Sequence, residues 1–407
     1  MTWTTISNNE LKRKLESKTS EIADVLLNMP LESIESISLM SGKTGIALFL
    51  FYYAKFSGDK KCYHHAQLLI SSIFDEINSG KTYYTFAGGL AGIGWTINHL
   101  NQYKLFETYD DDPLSDIDQF LYNMMMMEIR SGNYDYLHGA LGVGLYFLKV
   151  LNEKRSRSLK KLINELDKNS SKTENGGICW ISSMTHDKEE KACNLGLSHG
   201  IASIIAFLGK AYAKNISKEK TGKLLSGAVN FLLRNEQDIS KKLSYFPNWA
   251  VKDGNPQPSR LAWCYGDLGI ASALFSAAKS TSNKVWEEKA LEILRYSTKR
   301  TNLIENAVKD AGLCHGTAGI AHIFNRIYNL TKIADFQNAA EYWFDESLKM
   351  SKFFNGFAGY QSYVSDTNSS YINEAGFLEG ITGVGLAMLA AVSDIEPSWD
   401  EALLLST

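Results

Sequence analysis

Two kinds of hydrophobic pattern alternate along the chain. In the first, apolar residues run almost without interruption, as at 46–54 (IALFLFYYA), 201–212 (IASIIAFLGKAY) and 270–278 (IASALFSAA). Runs of this kind read as helices buried on every side. In the second, at 63–78, 220–234, 284–299 and 334–350, apolar residues recur every three or four positions. That spacing predicts amphipathic helices with one face against the core.

A short signature opens each buried run: Gly-x-x-Gly followed by Ile or Val. It starts at Gly42, Gly89, Gly139, Gly266, Gly316 and Gly380, with a seventh copy at Gly200 in which Ser203 replaces the second glycine. The intervals are 47, 50, 61, 66, 50 and 64 residues. Glycine near a helix start weakens the helix by about 1 kcal/mol relative to alanine. Its recurrence therefore points to close backbone packing, or to an open approach for a ligand, at that end. Seven inner helices paired with seven outer ones predict an all-α fold, an (α/α) toroid of seven helical hairpins. The chain, 1–407, reads as one such domain, with longer inserts at about 174–198 and 243–260. The first insert places apolar residues around a charged turn at 187–191. The second holds three of the six prolines, and both feed straight into a glycine motif. The methionine run at 124–127 falls in an amphipathic stretch and reads as core packing.

Composition narrows the function. Hydrophobic residues at 44%, charged residues at 21% and a net charge of −3 describe an ordinary globular chain, with no basic block to engage nucleic acid. The polar first 18 residues lack the apolar core of a signal peptide. The longest apolar run, nine residues at 46–54, is about half of a membrane span. Five cysteines form an odd, sparse set unlike a disulfide framework, so a reducing cytoplasm is the expected location.

The position just before each first glycine holds Ser41, Gly88, His138, His199, Tyr265, His315 and Glu379. In a toroid these residues would ring a central cavity. One place earlier, the fifth and sixth repeats carry Cys264 and Cys314. Either cysteine alone would pass as a small buried hydrophobe. Equivalent placement in adjacent repeats, with His315 beside one of them, points instead to a metal site. Two thiolates and an imidazole suit Zn²⁺, and three ligands leave a fourth position for water or substrate. Such an electron-rich centre suits activation of a further thiol. Peptide hydrolysis favours His and Glu ligands, and no HExxH is present. His199 can take or return a proton and Asp135 can orient it. Arg260 and Tyr265 can stabilise a developing enolate oxygen. An ordinary polar cavity lining stays open as the alternative for these four. His138 reads as a structural hydrogen-bonding group, and Cys62, Cys179 and Cys193 as structural thiols.

The motifs YDYLHG, LSHG, RLAWCYGDLGI and LCHGTAGI resemble those of the lanthionine synthetase C-like family, the cyclases of class I lanthipeptide biosynthesis. The resemblance spans the chain from the Gly42 motif to the Gly380 motif. It implies an α,α-toroid with zinc held by Cys264, Cys314 and His315, and catalytic roles for His199, Asp135, Arg260 and Tyr265. The implied reaction is Michael addition of a precursor-peptide cysteine to dehydroalanine or dehydrobutyrine, giving lanthionine or methyllanthionine rings. The enolate so formed would then be protonated, by His199 in this reading. The implied partners are a dehydrated precursor peptide with its leader, a separate dehydratase and a transporter. The location would be cytoplasmic, with peripheral attachment to a membrane-bound complex allowed. The first two repeats carry no matched catalytic residue and are expected to be structural. Two alternatives keep the fold: an enzyme adding glutathione to dehydroamino acids in proteins, and a non-catalytic zinc-stabilised scaffold.

Overall fold

The computed structural model describes residues 3–80, 82–106, 114–182, 192–250, 257–365 and 370–406. The charged turn expected at 187–191 lies outside them. Among the described residues, fourteen α-helices alternate between two layers. The inner layer is α2 (Lys43–Ser57), α4 (Leu90–Gln102), α6 (Ala140–Lys149), α8 (Ile201–Ala213), α10 (Asp267–Thr281), α12 (Thr317–Thr331) and α14 (Ile381–Val392). These are buried along almost their whole length. The outer layer is α1 (Asn9–Leu27), α3 (Lys60–Asn78), α5 (Asp118–Arg130), α7 (Glu153–Lys168), α9 (Lys218–Leu233), α11 (Lys284–Ser297) and α13 (Ala334–Lys349). Each outer helix buries one face only. Six outer helices follow an inner one along the chain. The seventh, α1, precedes them all and packs against α13 and α14, so the last hairpin joins the two ends of the chain. The Ile6 N–H donates to the Ala391 carbonyl at 2.9 Å and the Trp3 indole to Ala390 at 2.8 Å, sealing that closure.

The two layers begin their helices differently. Asn8, Asp59, Asn152 and Asn283 cap α1, α3, α7 and α11 with side-chain oxygens, as exposed helices usually require. Every inner helix instead starts at its motif glycine with no side-chain cap. The preceding loop folds back to supply the missing acceptors: Lys43 N–H reaches Ser36, Leu90 reaches Tyr83, Ala140 reaches Asn133, Thr317 reaches Asp310 and Ile381 reaches Glu374. This fold-back explains the second glycine. In six repeats a Cβ there would lie 1.9 to 2.4 Å from the carbonyl oxygen of the residue three before the first glycine. No side chain fits in that space.

The same loops are stitched into a ring. The residue two places before each first glycine donates its N–H to the carbonyl of its counterpart in the next repeat. Met40 donates to Ala87, Ala87 to Leu137, Ser198 to Cys264, Cys264 to Cys314, Cys314 to Leu378, and Leu378 back to Met40 at 2.9 to 3.2 Å. Among the described residues only the step from Leu137 to Ser198 lacks this bond. It falls in the repeat where Ser203 stands for glycine, and a side-chain bond between Asp135 and His199 bridges it.

The C-terminal segment fills the middle of the ring. Trp399, Asp400, Leu403 and Leu404 are buried. The Tyr136 hydroxyl donates to the Ala402 carbonyl and the Trp263 indole to Leu403 at 2.8 Å. Arg326 and His322 both bond the Asp400 carboxylate at 2.8 Å. Short antiparallel ribbons make up the rest: β1 (Ser171–Lys172) with β2 (Ile178–Cys179), β3 (Cys193–Asn194) with β4 (Trp249–Ala250), and β5 (Ser362–Val364) with β6 (Ser370–Ile372). The pairing of β3 with β4 ties the two long inserts together, on the motif side as their sequence placement predicts. Within the methionine run Met125 and Met126 are buried while Met127 is 52% exposed, so only part of it serves the core. Among the described residues no helix is long and apolar enough to cross a membrane.

Candidate active site

The seven residues preceding the first glycines share one property. Ser41, His138 and Glu379 are exposed, and Gly88, His199, Tyr265 and His315 are part-exposed, whereas the glycine after each is buried. The ring of backbone bonds holds these positions in register, so they form the rim of one opening.

On that rim the fifth and sixth turns bring Cys264, Cys314 and His315 together, with all three ligand atoms within 4.8 Å of one another. Cys264 is 5% and Cys314 8% exposed, while His315 faces the open side. The electrostatics favour a cation. A hydrogen bond from the Cys314 thiol, supported by His315 and the nearby Arg260 charge, draws the Cys264 thiol well below its ordinary range. The same bond, with burial, holds Cys314 protonated. Burial works against a charged His315, but its bond to Cys264 and the Asp310 carboxylate raise it overall. Two thiols and an imidazole set this close make a donor set that could hold a metal ion. Tetrahedral zinc needs ligand separations of about 3.5 to 3.8 Å, which small side-chain movements would reach from a cluster gathered within 4.8 Å. Asp310, 3% exposed, stands 3.7 Å from His315 Nε2. It is anchored by the N–H groups of Gly312 at 3.0 Å and Tyr363 at 2.9 Å.

The other predicted residues converge on the neighbouring rim. His199 Nδ1 lies 2.6 Å from Asp135 Oδ2, and the second carboxylate oxygen accepts the His138 N–H at 2.7 Å. An ionised carboxylate only accepts, so Nδ1 carries the proton and Nε2 is left to exchange one. The Tyr265 ring lies 6.4 Å from His199, and burial raises its phenol above the ordinary value. Arg260 is part-exposed and close enough for its charge to favour the Cys264 thiolate. The turn between them is unlike the other six. Gly266 adopts φ +104°, where the other motif glycines are extended. A Cβ there would be strained and only 2.1 Å from the Arg260 carbonyl. This one reversed glycine sends the chain from Cys264 into α10 while Tyr265 turns toward His199.

A family model described as lanthionine synthetase C-like protein matches residues 33–404. The chain belongs to that family. The Nisin biosynthesis protein NisC of Lactococcus lactis subsp. lactis is 25% identical over 402 residues, covering 91% of this chain and 89% of that protein. The solved structure of nisin cyclase superposes with a TM-score of 0.75 at 22% identity, covering 98% of both chains, so the two folds are alike.

Several residues of this lanthionine synthetase C-like site were invisible in sequence. Asp310 lies outside any motif. Asn194, whose amide donates to the Tyr265 hydroxyl at 2.9 Å, is five residues from His199 and seventy-one from its partner. Asp267 and Arg300 form a buried ion pair at 3.0 Å. Through it Asp267 accepts the Tyr245 and Phe246 N–H groups, and Arg300 bonds the Ser259 carbonyl beside Arg260 at 2.8 Å. His138, expected to be a structural hydrogen-bonding group, donates its backbone N–H to Asp135, and its exposed ring lies parallel to that of His199 at 6.0 Å. Glu379 was legible only as a rim position. Although the residue is exposed on the rim, partial desolvation raises its carboxyl, and the His315 charge works against that rise.

Proposed function

We propose that this thioether-forming lanthionine synthetase is a zinc-dependent lanthipeptide cyclase. It joins precursor-peptide cysteines to dehydroalanine or dehydrobutyrine and so forms lanthionine and methyllanthionine rings. The observation that carries this reading is the meeting, across the Tyr265 turn, of a thiol-rich metal cluster with a carboxylate-held histidine.

Cys264, Cys314 and His315 would hold zinc, which lowers the pKa of an incoming thiol while leaving it nucleophilic. The thiol sulfur bonds to the β-carbon of the dehydroamino acid, and the π electrons move onto the α-carbon and its carbonyl oxygen. Arg260 and Tyr265 face that oxygen and stabilise its charge as it develops. His199, held by Asp135 through Nδ1, takes up at Nε2 the proton the thiol releases, directly or through water, then delivers it to the α-carbon and completes the thioether. The ring of backbone bonds, bridged at its one open step by Asp135 and His199, favours fixed separations between these groups, which the addition requires. The partners are a dehydrated precursor peptide, a separate dehydratase and a transporter, and the expected location is cytoplasmic.

Cyclisation leaves peptide mass unchanged, so the test counts alkylatable thiols on a dehydrated precursor. Zinc-loaded protein should consume peptide thiols in the presence of excess glutathione. Glutathione adducts in place of rings would favour the glutathione-adding alternative, and no thiol consumption would leave only a scaffold.

A further inference from the structure

We propose that Asn194 is a positioning residue that sets the direction of the Tyr265 hydroxyl. The inference rests on the reading of Tyr265 as the donor to the substrate oxygen. It identifies what makes that tyrosine a donor.

Asn194 is fully buried on β3. Its side-chain oxygen accepts the Gly196 N–H at 2.8 Å, and its side-chain nitrogen reaches the Tyr265 hydroxyl at 2.9 Å. The first bond decides the second. The Gly196 N–H needs an acceptor, so the amide oxygen is committed to it and the NH₂ must face the phenol. An NH₂ group only donates toward the phenol, so the Tyr265 oxygen is the acceptor of that bond and its own proton points elsewhere. The neighbouring Ser198 hydroxyl donates to the Cys264 carbonyl at 3.3 Å, which commits its one proton away from the phenol. Every partner on the protein side therefore leaves Tyr265 with a proton to give.

The rest of the segment holds the ring in place. A Cβ on Gly196 would sit 2.7 Å from Tyr265 Cδ1 and from the Cys264 carbonyl, so glycine lets the ring lie flat against this strand. The Leu197 N–H bonds the Cys264 carbonyl at 2.9 Å. The stretch 194–199 thus cradles the metal-bearing turn, aims its phenol and ends in His199.

Asn194→Asp tests this with almost no change of shape. The carboxylate still accepts from Gly196, but when ionised it also accepts the Tyr265 proton and reverses that hydrogen bond. In the zinc-loaded full-length chain, N194D should slow single-turnover ring formation on a dehydrated precursor by about 10²-fold, the usual loss for one oxyanion donor. Y265F should lose about as much, and the N194D/Y265F pair should be no slower than Y265F. Zinc content should equal that of the parent. N194D activity should recover at low pH, because the introduced carboxyl donates again once protonated, and Y265F should show no such recovery. Parental rates for N194D at every pH, losses that multiply in the double variant, or parallel loss of zinc would each overturn the proposal. A ¹³C-labelled phenol separates the two claims. N194D should raise the Tyr265 titration whatever the activity, and an unmoved titration overturns the hydrogen-bond assignment. A fully active Y265F with a raised titration would instead remove the donor role of Tyr265.

Discussion

Two pairs of thiols in this protein invite comparison. Cys264 with Cys314, and Cys179 with Cys193, are all buried, and in each pair one thiol hydrogen-bonds the other. In each, one partner is drawn toward thiolate by that bond while the other is pushed up. By proton chemistry alone the pairs are close equivalents. They differ in what surrounds them. Cys264 and Cys314 occupy equivalent places in the backbone ring, with His315, Asp310 and Arg260 in reach. Cys179 and Cys193 sit on the two-residue strands β2 and β3 of an insert, and among the described residues no third metal-binding group completes their set. A metal site requires a third donor on a rigid frame, and of these two pairs only the first has both among the described residues.

The sharpest way to break the comparison is to remove one thiol from each pair. Cys264→Ala should lose bound zinc and slow ring formation by roughly 10³-fold, several kcal/mol of barrier at 1.36 kcal/mol per decade. Cys179→Ala should keep its zinc and a rate within about twofold, for a stability loss of about 1 kcal/mol. Zinc analysis after gel filtration, paired with the thiol-loss assay, measures both. Next in size is His199→Ala, which leaves both thiol pairs intact. It should retain zinc and lose about 10²-fold in ring formation, as a missing proton donor would. Loss of zinc in this variant would merge the proton-handling group with the metal site and undo the division of roles.

Asp310→Asn tests the frame around the first pair. Removing the carboxylate beside His315 should weaken zinc binding about tenfold, the usual loss for an outer partner of a metal ligand. Competition against a chromogenic chelator reads this, and unchanged affinity would show that His315 needs no orienting group. Asp310 also marks where sequence reading stops. The helices, their layers and the seven turns were legible because burial follows periodicity, and because the glycine spacing repeats the same steric need in six of the seven repeats. Cys264, Cys314 and His315 were legible because the repeat places them equivalently. Asp310, Asn194 and Arg300 act through loops that the toroid folds onto the rim from outside the motifs, and no local pattern announces such a contact. The meeting of Cys179 with Cys193 was hidden for the same reason. So was the closing role of α1, whose partner α14 lies at the far end of the chain.

The smallest expected effect concerns what steadies the fifth turn, and the second thiol pair has no counterpart to it among the described residues. Asp267 follows Gly266 directly and is fully buried against Arg300. Burial pushes its carboxyl up to about 6 despite that ion pair and two backbone donors. The folded protein therefore binds this proton more tightly than the unfolded chain, whose aspartate titrates near 4. The stability this group contributes is fully present below about pH 4 and is lost as pH rises through 6, at most about 3 kcal/mol at 1.36 kcal/mol per pKa unit. Urea unfolding midpoints of the parent and Asp267→Asn, measured from pH 4.5 to 7.5, isolate it, because asparagine cannot titrate. The advantage of the parent over the variant should shrink as pH rises. An advantage that grows instead would mean the Arg300 charge outweighs burial, making the turn that carries Cys264 an anchor strengthened by ionisation.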